Sequence, residues 1–535
     1  MKKNPNRFWV LVILLGWVFD FLFWEKPVPG INFFLYVVLC LATGIYILYT
    51  DGLRLSRRSG LLLLPIAFFA AVTFIRQEPM TVFLSVAMTI FLLGIFALTF
   101  INGEWMKYGL LDYLFGFLRL FGSMLARPIG FTAEVRREQP STASDKRPSP
   151  IWPVVRGVVI ALPVIAIFAS LLSAADPIFA KRFGDFIKLF NIDNLPEYIF
   201  RFVYILVFAY ALAGVFLHAA QKSGEAMEEK NFISPFLGFT ESTIVLGSVV
   251  VLFVAFVAIQ FQYFFGGQAN IHIDGYTYSE YARKGFGELV AVAFFSLLLL
   301  LGLGAITRRE TDAQRRTFTS LGVALVGLVL VMLVSAFQRL ALYEYAYGFS
   351  RLRTYTHVFV IWLALLLVAV VILEALRRER SIGLTMVLAS LGFVVSLSLL
   401  NVDGFIVKQN VQREQRENTA NTSSLLERPD LDAQYFLDLS DDAVPTMVAA
   451  FTDTSLPYDV REKLGAALTC KRYERKQGNQ VYPWQAFHLS RYQADIAFET
   501  VKQELDTYKI IDKDWPVKVE TPNGKEFSCS QYYYD

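Results

Sequence analysis

The 535-residue chain is 55% apolar and 15% aromatic, carries only 18% charged residues, and has a formal net charge of +3. A soluble domain would hold about a quarter charged residues, so a soluble globular protein is excluded; the basic residues fall in short loops, as topology signals rather than a nucleic-acid footprint. The apolar residues come in runs of about 17 to 23, long enough to cross a bilayer core of roughly 30 Å.

The fold class expected from this pattern is an all-α integral membrane protein with about eleven transmembrane helices, followed by a small C-terminal α+β extracytoplasmic domain. The alternating segments of about ten residues that a β-barrel needs are missing from the first 400 residues. In chain order, the basic stretch Met1 to Arg7 precedes the apolar run Phe8 to Trp24. That run is long, ends in tryptophan and lacks a small-residue cleavage site, so it reads as a retained first helix rather than a secretory signal. Further spans are expected at 31–49, 60–75, 80–101, 152–174, 197–219, 241–263, 287–306, 318–336, 356–376 and 382–400. Lys2, Lys3, Arg7, Arg54, Arg57, Arg58, Arg136, Arg137, Lys146, Arg147, Arg308, Arg309, Arg315, Arg316, Arg377, Arg378 and Arg380 then share one side. The positive-inside rule makes that side cytoplasmic, with the N-terminus inside and the C-terminus outside.

Residues 105–127 are interrupted by Asp112 and Arg119. They read as an amphipathic helix on the cytoplasmic face, with Trp105, Phe115, Phe117 and Phe121 in the interface. A twelfth span is the alternative and would invert every later loop. The expected organisation is therefore a four-span unit with this helix (1–127), a Pro/Ser-rich flexible cytoplasmic linker (128–150), a seven-span core (151–410), a second linker (411–430) and the soluble domain (431–535).

Two outer loops carry features of their own. Phe183, Phe186, Ile187 and Phe190 are spaced as a short surface helix. Glu280, Arg283, Lys284 and Glu288 follow the seventh span, and the four-residue spacing of Glu280, Lys284 and Glu288 allows mutual neutralisation on one helix face. The richest stretch is Gln338 to Trp362, which places Arg339, Glu344, Arg351, Arg353 and His357 between two apolar helices. Charge so close to hydrocarbon is costly unless paired, hydrated or used. Two readings stand: a structural collar of salt bridges, or a cationic vestibule for an anionic ligand gripped by arginine forks. Glu280 and Arg283 belong to the same candidate set.

In the tail, Ser440-Asp441-Asp442 offers an N-cap to a helix over Ala443 to Phe451, and Tyr458 to Cys470 and Trp484 to Tyr508 read as further helices. Val517 to Thr521 and Phe527 to Gln531 read as a hairpin whose Asn523-Gly524 turn suits type I′ geometry. Cys40 lies within a span, leaving Cys470 and Cys529 either disulfide-bonded, as an oxidising compartment permits, or as two free thiols.

The segments LLSAADPIFA (171–180), YSEYARKGFGELV (278–290), LALYEYAYGFSRLRTYTHVFVIW (340–362), NVDGFIVKQNVQR (401–413) and LSDDAVP (439–445) resemble a bacterial family of polytopic membrane proteins. It is known only as a domain of unknown function, of the 4173 / 4153 type. The resemblance covers most of residues 150–450 and implies multi-pass residence in a bacterial cytoplasmic membrane; it implies no activity. No phosphate loop, HExxH, CxxC or nucleophile elbow is present, and His272 with Asp274 reads as a surface loop, so no metal or cofactor is expected. The leading functional reading is a membrane scaffold or envelope-signalling component, with membrane lipid and a protein bound through the C-terminal domain as partners. A transporter or flippase of an anionic or lipid-linked substrate, and a transferase acting on a lipid-linked substrate through Glu344, Glu280 or His357, are the alternatives.

Overall fold

The computed structural model describes residues 4–26, 29–138, 151–189, 194–221, 235–264, 286–420, 431–477, 482–512 and 516–530. The long helices are α1 (Pro5–Phe23), α2 (Ile31–Thr50), α3 (Leu63–Ile75), α4 (Pro79–Thr99), α5 (Leu110–Glu138), α6 (Ile151–Ala175) and α8 (Leu195–Ala219), with α7 (Pro177–Leu189) between the last two. They continue with α9 (Phe239–Phe264), α10 (Phe286–Ile306), α11 (Asp312–Tyr347), α12 (Arg351–Ala375), α13 (Ile382–Leu400) and α14 (Val402–Ala420). Local sequence sets several boundaries. Proline occupies the first turn of α1, α4 and α8, where its missing N–H has no helical partner to lose. Thr311 and Gln314 close a capping box on α11, satisfying two orphan donors reciprocally.

Among the described residues, eleven helices are long and apolar enough to cross a membrane. One of them, α5, lies at one end of the bundle. Its first residues lie against Gly383 at the start of α13, and Arg380 Nε donates to the Lys107 carbonyl at 2.7 Å. Near its other end Phe131 packs edge-on against Phe8 in the first turn of α1, at 5.3 Å between ring centres. In between, the backbone of Met124 lies against Gly214, and Ser123 and His218 are hydrogen-bonded at 2.7 Å near the end of α8. Both ends of α5 thus sit at the same end of the bundle. The eleven helices so counted include α5 and not α6, whereas the sequence reading has a span at 152–174 and none at 105–127.

Two of the expected interfacial aromatics need correction. Trp105 is buried and donates through Nε1 to the Arg58 carbonyl at 3.0 Å, and Phe117 stacks on Phe91 over Gly94. Leu110, Leu114, Leu118, Phe121, Leu125 and Ile129 instead form the outward apolar stripe of α5, recurring every three or four residues as one helix face requires.

The helices form two packed groups. One surrounds Phe69, Leu92, Ile95 and Phe100 and draws on α1 to α5 and α8; the other surrounds Phe318, Leu325, Met332 and Leu367 and draws on α9 to α12. α13 packs on both α4 and α12 and joins them. At the end away from α5, the segment after α14 folds as α15 (Val444–Thr452), α16 (Tyr458–Gln477), α17 (Leu489–Thr500) and an antiparallel sheet β1-β2-β3 (Lys509–Asp512, Lys518–Glu520, Glu526–Ser528). Its core of Phe436, Val444, Met447 and Leu464 is continuous with Leu397 and Ile406 of the bundle.

Three details differ from expectation here. The helix expected over Trp484 to Tyr508 is interrupted, and the chain from Lys509 adds a strand that pairs Ile510 with Val519. The hairpin turn is not type I′. Gly524 alone has positive φ (+78°), and its N–H donates to the Thr521 carbonyl at 2.9 Å, the pattern of a type I turn closed by a left-handed glycine. The helix expected around Phe183 is α7, while the loop holding Lys284 and the linker around Lys146 lie outside the described residues.

Candidate functional site

The polar stretch from Gln338 to Trp362 is a helix-turn-helix. Helix α11 ends at Tyr347, and Gly348 adopts φ +80°, a conformation that costs glycine little and other residues much. A Cβ there would also meet Asn410 Oδ1 at 2.7 Å. Asn410 clamps the turn, accepting from Phe349 N at 2.6 Å and donating to Phe349 O at 3.0 Å. The turn therefore seats Arg351, at the start of α12, against α14.

Arg351 donates from Nε and Nη2 to the two oxygens of Asp403, at 2.7 and 2.6 Å. Asp403 is fully buried and also accepts from Ser440 N at 2.6 Å, while Tyr435 Oη accepts from Arg351 N at 2.9 Å. Ser440 leads to a second buried acid. Asp442 Oδ2 accepts from Gln77 N at 2.6 Å and Glu78 N at 2.9 Å in the α3–α4 turn. Burial pushes the Asp442 carboxyl above the usual aspartate range, against the opposing pull of those two amides and of Arg76. Glu78 is itself buried; it caps α4 through Met80 N and Thr81 N and accepts from Tyr355 Oη of α12. Arg76 Nε in turn donates to Ser398 O at 3.0 Å. These groups form one buried network that ties α3, α4, α12, α13 and α14 to the C-terminal segment through charge-assisted hydrogen bonds.

The remaining candidates lie beside this network. Glu344 is buried and lies 3.1 Å from His357 Nδ1, across the α11–α12 turn; the His357 ring meets Phe337 edge-on at 4.4 Å. Arg353 donates to the Gly348 carbonyl and lies 4.1 Å above the Tyr343 ring, which pairs with Tyr347 at 5.0 Å. Arg339 lies on α11 ahead of Glu344. Glu280 and Arg283 lie outside the described residues. The candidates thus separate into a network around Arg351, a Glu344–His357 pair and a cation-π contact at Arg353. Among the described residues no group of three or more His, Cys, Asp or Glu is placed to hold a metal ion.

Sequence reasoning overlooked most partners of Arg351. Asp442 read as part of an N-cap, and Glu78, Arg76, Tyr355 and Asn410 drew no notice. A signal for several was present, because the blocks 340–362, 401–413 and 439–445 contribute Arg351, Asp403 and Asp442 to this one place. Elsewhere in the C-terminal segment, Cys470 and Cys529 form a disulfide. Lys471 is buried and donates to the carbonyls of Leu437 and Leu439 at 3.0 and 2.5 Å, and burial holds its ammonium below the usual lysine range.

The family model described as Domain of unknown function (DUF4153) matches residues 63–450. It begins at the first residue of α3 and so takes in α3 and α4, ahead of the recognised blocks. No curated protein and no solved structure matches the chain.

Proposed function

The chain belongs to the DUF4153 family of unknown function, and on that premise we propose that it is a membrane scaffold or envelope-signalling component that holds its C-terminal domain outside the cytoplasm, ready for a protein partner. The observation that carries this reading is the buried network. The fork of Arg351 is committed to Asp403, and Asp403 and Asp442 are committed to backbone amides on both sides of the junction. Such an arrangement positions a domain; an anion vestibule needs its arginine fork open. The cytoplasmic assignment of the opposite end rests on Arg7, Arg58, Arg309 and Arg377, which lie at the level of α5. There α5 lies along the interface, its leucine stripe in hydrocarbon.

The surface offered to a partner is a charged cleft of about 780 Å³ between α16 and α17, bordered by Arg475, Lys476, Tyr482, Arg491, Glu499 and Lys502. Arg491 lies 3.6 Å above the Tyr482 ring, and Arg475 bridges Asp441 and Asp495 at 2.6 and 2.5 Å. Both charge signs line it, which favours a folded protein surface over a polyanion. A photo-crosslinking residue at Tyr482 or Lys476 in intact cells tests this. Discrete protein adducts at these positions, absent when the probe replaces Arg377 at the opposite end, support the reading. Adducts to lipid alone, or the same adducts from both ends, overturn it.

A further inference from the structure

The C-terminal segment reaches the flank of the bundle at the turn ahead of α17, and nothing in the scaffold reading uses that contact. Trp484–Ala486 forms a single 3-10 turn that is tied to the α1–α2 turn by two bonds. Ile31 N donates to Phe487 O at 3.1 Å, and His488 Nε2 donates to Pro29 O at 2.6 Å. Gly30 lies so close beneath that a Cβ there would meet Phe487 O at 3.2 Å. From this fixed seat the Trp484 ring, 57% exposed, stands 6.3 Å from that of Phe21 on α1. Phe21 in turn stacks on Trp17 at 6.0 Å, and both are outward residues of α1, 47% and 54% exposed. Three rings thus make one aromatic column that starts on a membrane-crossing helix and ends on the C-terminal domain.

Depth decides what covers the end of the column. α1 has 19 residues, about 28 Å at 1.5 Å per residue, which a hydrocarbon core of roughly 30 Å takes up whole. Polar partners mark the far end of this helix on its inner side, where Asp20 pairs with Arg201 at 2.6 Å and Trp24 donates to Glu197 at 3.1 Å. Phe21 lies two residues short of that end, about 3 Å inside it. The interfacial layer adds roughly 5–7 Å on each side of the core. A ring 6.3 Å from Phe21 therefore stays within that layer or below it, whatever its direction. Tryptophan suits the layer because its ring is apolar while its N–H remains wet. Phe487, also exposed, stands 6.3 Å from the Tyr492 ring and adds a wholly apolar group to the same turn.

We propose that Trp484 and Phe487 anchor the C-terminal domain in the leaflet it borders, at the boundary between head groups and acyl chains. The occupant of this surface is bulk phospholipid, because the column continues the lipid-facing side of α1 and contains no charged side chain that would select a head group. The domain is then held at the membrane on two counts, by the buried network beneath it and by this turn at its edge. Tyr482 borders the charged cleft, so on the partner reading that cleft opens beside the head groups. The anchoring itself does not rest on that reading, since Trp484 and Phe487 line no part of the cleft, and it holds for whichever leaflet the domain faces.

The test uses the unmodified full chain in phosphatidylethanolamine/phosphatidylglycerol nanodiscs and two photoreactive phospholipids, one with a diazirine near the start of an acyl chain and one with it on the head group. Trypsin releases Gln477 to Arg491 as one peptide. Within residues 431–535, adducts of the acyl-chain probe should concentrate on this peptide, several-fold above any other, and map to Trp484 or Phe487. The Trp484→Ser and Phe487→Ser double variant should lose them while keeping the Cys470–Cys529 disulfide. A photo-crosslinking residue at Trp484 in intact cells should capture lipid. Labelling by the head-group probe alone, no labelling of the peptide, or adducts spread evenly over the domain would overturn the proposal. Capture of a protein or of a second copy of the chain at Trp484 would also overturn it. The unmodified arm decides even where the double variant fails to fold.

Discussion

Replacing Asp403 with alanine is the sharpest test of the buried network. The carboxylate has no exposed surface, and its partner Arg351 keeps 22% of its side chain accessible. The change removes both acceptors of the guanidinium and the acceptor of Ser440 N, leaving a charge and an amide at an interface that admits little water. Breaking a buried pair by removing one member typically costs about 3–5 kcal/mol, a loss of more than roughly a hundredfold in the docking equilibrium of the C-terminal segment. Hydrogen exchange on the detergent-solubilised protein reads this directly, because amides at Gln77, Glu78 and Ser440 should lose protection while those in the middle of α4 keep theirs. The Arg351→Leu and Asp403→Leu double variant should recover much of the loss, since an apolar pair strands no charge. The reasoning is wrong if Asp403→Ala leaves those amides protected, or if the two single changes simply add in the double variant.

Three other outcomes follow from the geometry. Glu344→Ala should lower the melting temperature more than Arg377→Ala, because Glu344 is buried beside His357 whereas the Arg377–Asp312 pair is 59% and 70% exposed and contributes about 0–1 kcal/mol; equal melting of the two variants would contradict it. His488 donates from Nε2 to the Pro29 carbonyl at 2.6 Å, and burial, aided by Arg491 and opposed by Pro29 and Asp441, holds its pKa below the ordinary histidine value. In the unfolded chain the ring protonates first as pH falls. Its stabilising contribution is therefore present above about 6.5 and fades as pH drops from there through the folded pKa; His488→Gln should flatten that part of a melting-versus-pH curve. Finally, Cys470 and Cys529 should resist a thiol label until reduced, and their joint replacement by serine should cost about 2–4 kcal/mol. Applied to intact cells after reduction, an impermeant label that reaches them only upon lysis would reverse the assigned orientation.

The spans were legible because hydrocarbon imposes length and composition on each segment separately, so α1, α4 or α12 can be recognised without knowing its neighbours. The polar stretch at Gln338 was legible for the same reason, as charge where charge is expensive. Its partners were not. Asp403 and Asp442 lie 52 and 91 residues beyond Arg351, and a carboxylate that caps its own helix looks the same in sequence as one that reaches another segment. Trp105 was misread for a related reason: an aromatic beside a membrane surface and an aromatic packed under Arg58 have the same local composition. Only the outward row from Leu110 to Ile129 separates the two faces of α5, and that row shows as a face only once the helix is placed.

The C-terminal segment grips the α1–α2 turn through Pro29, the α3–α4 turn through Gln77, and the α12–α14 region through Asp403. It therefore acts as a keystone bridging the two helical groups from above, while Arg380 and Lys107 join them from below. Covalent continuity between α5 and α6 becomes redundant. Two pieces of the chain, 1–138 and 151–535, made side by side in one cell should find each other and copurify as a pair.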